Sequence, residues 1–297
     1  MSGWPAITEP LLRERQGMSD EKFFDFLAGL LVAVGTRELD DEHYERAIGY
    51  PWERRPGSCF VTDEGVISLA DMDAGRRQEL VSRYVDESVD RVPLLTYGAN
   101  GSPERLALKL AHLPDGDREA VILAGELEGF DVGAAAHPPV WSSMPATLIT
   151  SPGTAVRVAV LFLTPIQFTA IWWTELSYVV GALSGITLVT DVSKEPIKRV
   201  IVFISRFGAF CVDGAPVAMA AIPAVNRRMT PLTQTELLDA AARMSLGESA
   251  AAHDLVKASF ENPAAFMADH YAGFRAASVS FDSKHWEAMP VGVGDSG

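Results

Sequence analysis

Apolar, β-branched segments follow one another through the middle of the chain, and this succession limits the fold more than any other feature. Eight segments between Val92 and Ile222 have strand character: VPLLTY, AVILAGELEGF, ATLIT, AVRVAVLFL, SYVVGAL, ITLVTDV, RVIVFIS and GAFCVDGAPVAMAAI. Few helix-like stretches separate them, unlike the regular alternation of a doubly wound fold. The sequence therefore predicts an α+β fold with a mixed, strongly curved or barrel-like β-sheet core and flanking helices.

The first 90 residues have the pattern of helices around a short hairpin. The stretch MSDEKFFDFLAGLLVAVG predicts a helix that Ser19 or Asp20 caps and that ends before Gly35. A hairpin turning at residues 63–65 then leads to a helix over residues 73–84. This segment has the character of a leading subdomain or lid.

The end of the chain is helical in character. Thr233 and Glu236 form a capping box, and the Asn262-Pro263 pair starts another helix. The last residues, PVGVGDSG, have the composition of a disordered tail. We predict three parts: an N-terminal helical and hairpin extension over residues 1–90, a core over 91–225, and a C-terminal helical extension with a disordered tail over 226–297.

Composition excludes several classes of function. A net charge of -14 and a pI near 4.8 disfavour a nucleic-acid surface, which needs clustered Lys and Arg. The longest apolar run, residues 158–173, is too short for a comfortable membrane span and contains Pro165. Two cysteines and no secretory signal favour a reducing compartment. We expect a cytoplasmic protein without nucleic-acid or membrane partners; the sequence does not define a protein partner.

The stretch LLTYGANGSPERLALKL, residues 94–110, places a strand, a turn-rich loop and a helix start in succession. Ser102 has the N-cap position and Pro103 the first helical position. Backbone N–H groups of residues 98–101 could point together beside the helix dipole and hold a carboxylate or phosphate without a lysine. The same residues suit any tight strand-to-helix connection, and the local pattern alone favours that structural interpretation.

Glu175 closes a second candidate region, LTPIQFTAIWWTELSYVV. Thr164 and Gln167 form a capping box around Pro165, so a helix begins here. The ten residues before Glu175 carry no charge. Its carboxylate is therefore either an exposed helix end, which the spacing favours, or a partly desolvated group suited to act as a general base.

Other chemistries find little support. The six histidines show no metal-ligand spacing, so we expect no zinc site. No Gly-x-Ser-x-Gly elbow occurs, and neither Cys59 nor Cys211 has a basic neighbour in sequence.

Together, the two regions resemble the gamma-glutamylcyclotransferase-like family. Its members carry Tyr-Gly-Ser-Asn after the first core strand and a glutamate after a later strand and short helix. The matching positions here are Tyr97-Gly98-Ala99-Asn100 and Glu175. GELEGFDV resembles the family's second strand, and PATLITSPGTAVRVAVLFLT resembles its turn between paired strands. The resemblance spans roughly residues 92–220 and leaves both ends as extensions of the kind seen in longer bacterial relatives.

The resemblance implies a cofactor-independent cyclisation. The α-amine of a small γ-glutamyl amide or peptide attacks its own γ-carbonyl, which gives 5-oxoproline and releases an amine or amino acid. Glu175 would act as general acid and base, and backbone amides of the loop would hold the carboxylate or oxyanion. No metal or organic cofactor is implied. The implied substrate-binding residues are Tyr97, Gly98, Ala99, Asn100, Ser102 and Tyr178.

Departures from the family pattern keep other functions open. Ala99 replaces the serine, and Trp172 and Trp173 stand where members often have acids, which predicts a more apolar pocket. The chain could therefore be a ligand-binding or sensing module that holds a carboxylate without turnover. A third alternative is a scaffold whose extensions bind a partner protein. Binding that depends on residues 1–90 would indicate this function.

Overall fold

The structure, a computed structural model, describes residues 9–85 and 91–290, and this part of the chain forms nine α-helices and fourteen strands. The helices are α1 (Pro10–Gly17), α2 (Asp20–Val34), α3 (Asp41–Ile48), α4 (Ala74–Val85), α5 (Pro103–Leu110), α6 (Pro165–Thr174), α7 (Gln234–Leu246), α8 (Ala252–Glu261) and α9 (Pro263–Ala276). The strands are β1 (Cys59–Thr62), β2 (Gly65–Ser68), β3 (Val92–Thr96), β4 (Ala120–Ala134), β5 (Ala146–Leu163), β6 (Tyr178–Thr190), β7 (Ser193–Ser205), β8 (Ala209–Val212), β9 (Ala215–Pro216), β10 (Ala218–Met219), β11 (Ala224–Val225), β12 (Pro231–Leu232), β13 (Ser278–Val279) and β14 (Trp286–Ala288).

Five strands close into a barrel. The pairing runs β5-β3-β7-β6-β4, and β4 pairs again with β5. Only the β3–β7 pair in this ring is parallel; the other four pairs are antiparallel. Closure leaves no free edge inside the ring, and the β1–β2 hairpin attaches outside it through β4. The predicted α+β fold with a mixed, barrel-like sheet and flanking helices is confirmed.

Two long strands replace four predicted shorter ones. The sequence predicts a turn between ATLIT and AVRVAVLFL, but both segments belong to β5, which pairs with β4 along most of its length. Gly153 has a φ of +86°, where the register shifts, so the chain bulges and continues instead of reversing. SYVVGAL and ITLVTDV are likewise joined in β6, where Gly185 has a φ of +68° beside another register shift.

The barrel is covered by apolar side chains on both faces. Leu95 and Val202 belong to the larger buried cluster, whereas Leu94 and Ile201 belong to a second cluster with α5 and α6. Consecutive residues of a strand point to opposite faces, so a strand buried on both faces has a continuous apolar run. This explains why the middle of the sequence lacks clean polar alternation.

Local signals located most helix starts correctly. The side chains of four capping residues accept backbone N–H groups at the predicted positions: Ser19, Thr164, Thr233 and Asn262. Ser102 holds the predicted N-cap position of α5 and Pro103 the first helical position. The Ser102 side chain does not cap the helix: its hydroxyl donates to Glu104 Oε2 at 3.4 Å, and its backbone N–H donates to Ala99 O in a short 3-10 turn over Ala99–Gly101.

The first helix and the last strand of the described residues both pack onto the barrel. Gln16 of α1 binds the backbone of β6 in two directions, with its amide nitrogen 2.8 Å from Val180 O and its amide oxygen 3.0 Å from Val180 N. Near the C-terminus, β14 pairs with β6. The division at residues 90 and 225 stays a prediction. The predicted disordered tail falls on residues 291–297, which lie outside the described residues.

Candidate functional site

Helix α6 places Glu175 at its C-terminal end and holds it there. The capping box fixes the start of the helix: Gln167 Oε1 accepts from Thr164 N at 2.9 Å. At the other end, Trp172 O accepts from Glu175 N at 3.1 Å and from Arg15 Nη2 at 2.6 Å, so the last turn is held by the backbone and by a side chain of α1. Burial lowers the pKa of Arg15 to about 10, and nearby Glu175 opposes this shift. The backbone that carries Glu175 is thus fixed from both ends.

The loop after β3 reaches Glu175 through an amide. Asn100 Nδ2 donates to Glu175 Oε1 at 3.0 Å, although 75 residues separate the two in sequence. Lys109 Nζ lies 2.8 Å from the same oxygen and also donates to Asn100 Oδ1 and Thr174 Oγ1, each at 2.7 Å. An ammonium group has three donors, so these contacts use all of them and hold Lys109 in one position.

Glu175 is therefore largely buried, with its side chain 15% exposed, and not the exposed helix end that spacing alone favoured. Its hydrogen bonds all go to one oxygen, Oε1. The other oxygen, Oε2, accepts no hydrogen bond from the part of the chain that the structure describes. One oxygen is positioned by the protein and the other is available to a ligand.

Gly98 is needed because the chain approaches a tyrosine closely. A methyl group at this position would lie 2.6 Å from Tyr50 Oη and 3.2 Å from Ala146 Cβ. Tyr50 Oη accepts from Ala146 N at 2.8 Å, which fixes the hydroxyl against the loop. The loop at Gly98 is thus packed directly against Tyr50.

Three buried tyrosines surround the candidate base. Tyr50, Tyr97 and Tyr178 all interact electrostatically with Glu175. Burial raises the pKa of each above its usual value, and the negative charge of Glu175 raises it further. Tyr97 Oη donates to Phe203 O, and Tyr178 Oη donates to Ala146 O at 2.7 Å. These hydroxyls stay neutral donors at neutral pH.

The loop after β3 and the C-terminal end of α6 line the same cavity, which has a volume of about 420 Å³. The predicted residues that line it are Tyr97, Gly98, Ala99, Asn100, Glu175 and Tyr178. Ser102 is buried and does not line it. The expected contribution of the tryptophan pair is wrong, because Trp172 lies in the core and Trp173 lies over Arg15, so neither lines the cavity.

The N-terminal extension supplies much of the remaining wall, which sequence reasoning missed. Its lining residues are Arg37, His43, Arg46, Ala47, Tyr50 and Trp52, and α5 adds Arg105 and Lys109. Only α5 carried a local signal, since Arg105 and Lys109 lie four residues apart on the helix that follows the loop, a spacing that puts both on one face. Lys109 also binds the Asn100 side chain directly, a contact that the sequence did not indicate.

Three arginines of the cavity, Arg37, Arg46 and Arg105, form what we call the arginine rim. The guanidinium carbon of Arg105 lies 4.1 Å from the Trp52 ring centroid, and that of Arg37 lies 4.0 Å from the Phe260 ring centroid. Burial lowers the pKa of Arg105, and the charge of Arg46 lowers it further. Within residues 9–85 and 91–290 the arginine rim forms no ion pair.

The described residues also bear on metal binding and on membrane crossing. No group of three or more His, Cys, Asp or Glu side chains is arranged to hold a metal ion. None of the helices there combines the length and the apolar character that crossing a membrane requires.

Comparison with known proteins gives matches among solved structures only. No family model and no curated protein matches the chain. A gamma-glutamyl cyclotransferase matches with 18% identity and a TM-score of 0.32, over 39% of this chain and 67% of that protein. An uncharacterized protein from Homo sapiens matches with 19% identity and a TM-score of 0.32, over 39% and 68%. YkqA from Bacillus subtilis matches with 13% identity and a TM-score of 0.30, over 63% and 65%. These likenesses are partial and distant, and the activity of these proteins does not transfer to this chain.

Proposed function

We propose that the chain cyclises a small γ-glutamyl amide or peptide to 5-oxoproline, with Glu175 as general acid and base. The observation that carries this proposal is the state of the Glu175 carboxylate: Oε1 is fixed by Asn100 and Lys109, and Oε2 is left to a ligand in the cavity. The resemblance of the Tyr97–Asn100 loop to the Tyr-Gly-Ser-Asn motif supports the same reaction.

The reaction needs few groups because its nucleophile is tethered to its electrophile. Glu175 Oε2 takes a proton from the α-ammonium, and the freed amine attacks the γ-carbonyl carbon of the same molecule. The new C–N bond closes the five-membered ring. Glu175 returns this first proton to the nitrogen that is to be released, and the bond from the γ-carbon to that nitrogen breaks. Glu175 then takes the second proton from the ring nitrogen and passes it to the released amine, so the lactam is neutral and the enzyme ends unchanged.

Backbone and side chains divide the remaining tasks. N–H groups of the loop over residues 98–100 hold the α-carboxylate or the oxygen that gains charge at the γ-carbon. Lys109 and Asn100 keep the Glu175 carboxylate in position, since every donor of Lys109 is already bonded to the protein. Lys109 is therefore a positioning residue and donates no proton to the substrate.

Release of 5-oxoproline from a panel of γ-glutamyl amines and γ-glutamyl peptides tests this function. We expect Glu175→Gln to lower kcat by about 10²- to 10⁴-fold, the usual contribution of general acid–base catalysis. Glu104→Gln is the matched control, because Glu104 is an exposed α5 carboxylate outside the cavity lining. No product from any substrate, or equal rates for wild type and Glu175→Gln, would overturn the proposal.

A ligand-binding function without turnover is the second candidate. One observation favours it: Ala99 offers no hydroxyl at the position where the family motif has serine. In that case L-glutamate or glutarate should raise the melting temperature, while no γ-glutamyl compound is consumed. The absence of any shift with these carboxylates would contradict the binding function.

A further inference from the structure

The arginine rim is the part of the cavity that the proposed reaction does not use. Glu175, the one carboxylate among the described residues that line the cavity, is paired with Lys109 and not with a rim arginine. Three guanidinium groups thus face one cavity without an ion pair among the described residues, in a chain whose net charge is -14. In an acidic chain with many carboxylates to pair with, such a cluster indicates an anionic ligand.

Two of the rim arginines lie over aromatic rings. Arg105 lies over Trp52 and Arg37 over Phe260, at 4.1 and 4.0 Å from the ring centroids. Stacking uses the face of a guanidinium group and leaves its N–H edges free, and these edges match the two oxygens of a carboxylate. Among residues 9–85 and 91–290, the Arg37 guanidinium group donates to Val140 O alone, at a long 3.4 Å, and its Nε is buried without a hydrogen-bond partner.

Arg46 and Arg105 also repel each other. The charge of Arg46 lowers the pKa of Arg105, which means that the two positive groups lie close enough to interact. Like charges held together without an anion destabilise the free protein, and an anionic ligand between them would remove that cost.

The rim stands at a suitable distance from the candidate base. Arg105 precedes Lys109 by one helical turn on α5, a rise of about 6 Å along the helix axis. Lys109 contacts Glu175 directly. A γ-glutamyl dipeptide adds one residue, about 3.5 Å of extended chain plus its side chain, beyond the scissile amide. Its far end can therefore reach the rim while its glutamyl part lies at Glu175.

We propose that the arginine rim binds the carboxylates of an acidic leaving group, so that the preferred substrate is a γ-glutamyl compound of an acidic amino acid, such as γ-glutamyl-glutamate. Three guanidinium groups exceed what the single main-chain carboxylate of a neutral amino acid requires. The assignment to a leaving group rests on the proposed function; the presence of an anion site does not.

The test compares γ-glutamyl-glutamate with γ-glutamyl-glutamine, which differ by one carboxylate and hardly in shape. For wild type we expect kcat/KM to favour the acidic compound by about tenfold or more, mainly through KM, as for the loss of a hydrogen bond between charged groups. Arg105→Gln and Arg46→Gln should bring the ratio close to one. Arg76→Gln, which removes an exposed arginine outside the cavity lining, should leave it unchanged.

The outcomes separate the two proposals. Turnover with the same preference ratio in wild type and both rim variants overturns the arginine rim assignment and leaves the proposed function standing. If neither compound yields 5-oxoproline, the proposed function fails. The shift in melting temperature caused by each of the same two compounds then tests whether the arginine rim binds an acidic ligand. Greater stabilisation by γ-glutamyl-glutamate in wild type, lost in Arg105→Gln, supports an acidic-ligand site; equal shifts overturn it.

Discussion

The two walls of the cavity use their charges differently. One wall, which we call the barrel wall, consists of the loop after β3, the end of α6 and Lys109 of α5. There Lys109, Asn100 and Glu175 satisfy one another, and within the described residues Glu175 Oε2 is the oxygen of this network that accepts no hydrogen bond. On the wall that the N-terminal extension shares with α5, the arginine rim forms no ion pair within the described residues. A hydrogen-bond network in which every donor is used fixes the geometry of a reacting group, whereas cations without an ion pair are available to bind an anionic ligand. The contrast separates a wall suited to chemistry from a wall suited to selecting the ligand.

Replacing one cation on each wall is the strongest test of this contrast. Lys109→Met leaves Asn100 Oδ1 and a largely buried Glu175 carboxylate without their cation, so we expect a loss of about 2–3 kcal/mol in the free energy of unfolding. Arg105→Met loses a stacking contact and relieves repulsion, so its cost should stay below about 1 kcal/mol. Urea denaturation measures both. Equal costs would mean that the two walls do not differ.

Gly98→Ala tests how tightly the barrel wall is packed. The added methyl group would meet Tyr50 Oη at 2.6 Å, and we expect a loss of about 1–3 kcal/mol in the free energy of unfolding. Gly273→Ala is the control, since nothing lies within 4 Å of the added group inside α9. Alanine there should stabilise by about 0.5–1 kcal/mol. Urea denaturation of both variants gives the comparison, and a neutral Gly98→Ala would contradict the close approach.

The buried tyrosines predict a decline in stability at alkaline pH. Burial raises the pKa of Tyr50 above the unfolded value of about 10, so its contribution is fully present below pH 10 and is lost as the pH rises toward the folded pKa. Above pH 10 this one residue should reduce the free energy of unfolding by about 1.4 kcal/mol per pH unit. Tyr50→Phe should lessen the slope by that amount in urea titrations at pH 9–11. An unchanged slope would show that Tyr50 ionises as easily in the folded protein.

On the barrel wall, local sequence signals located Glu175 but not its surroundings. Thr164 and Gln167 set the start of α6, and the uncharged run after them ends at Glu175, so the position of the carboxylate followed from nearby residues. Its burial did not follow, because Asn100 and Lys109 cover it from 75 and 66 residues away. The prediction that Trp172 and Trp173 line the cavity was wrong for the same reason. Which face of α6 points to the cavity depends on how the helix packs on the barrel, and this is a long-range contact.

The wall from the N-terminal extension could not be predicted in this way. Arg37 and Arg46 precede the loop by about fifty residues or more and carry no motif, and α3 brings Arg46 to the cavity only through tertiary packing. Phe260, which stacks on Arg37, comes from the other end of the chain. Such a surface depends on contacts between residues far apart in sequence. Residue spacing and hydrophobic periodicity indicate only local structure, so they do not predict these contacts.

The smallest effect isolates the cost of keeping the arginine rim unpaired. Arg46→Gln removes one of two repelling charges, and since Arg46 is exposed the gain should be small, a rise of about 1 °C in the melting temperature of the free protein. Screening by 1 M NaCl, where the Debye length is about 3 Å, should abolish the difference. Arg76→Gln makes the same charge change away from the cavity lining and therefore corrects for the effect of net charge. A lower melting temperature for Arg46→Gln than for Arg76→Gln at low salt would show that Arg46 has a stabilising partner, and the arginine rim would then be an ordinary structural surface.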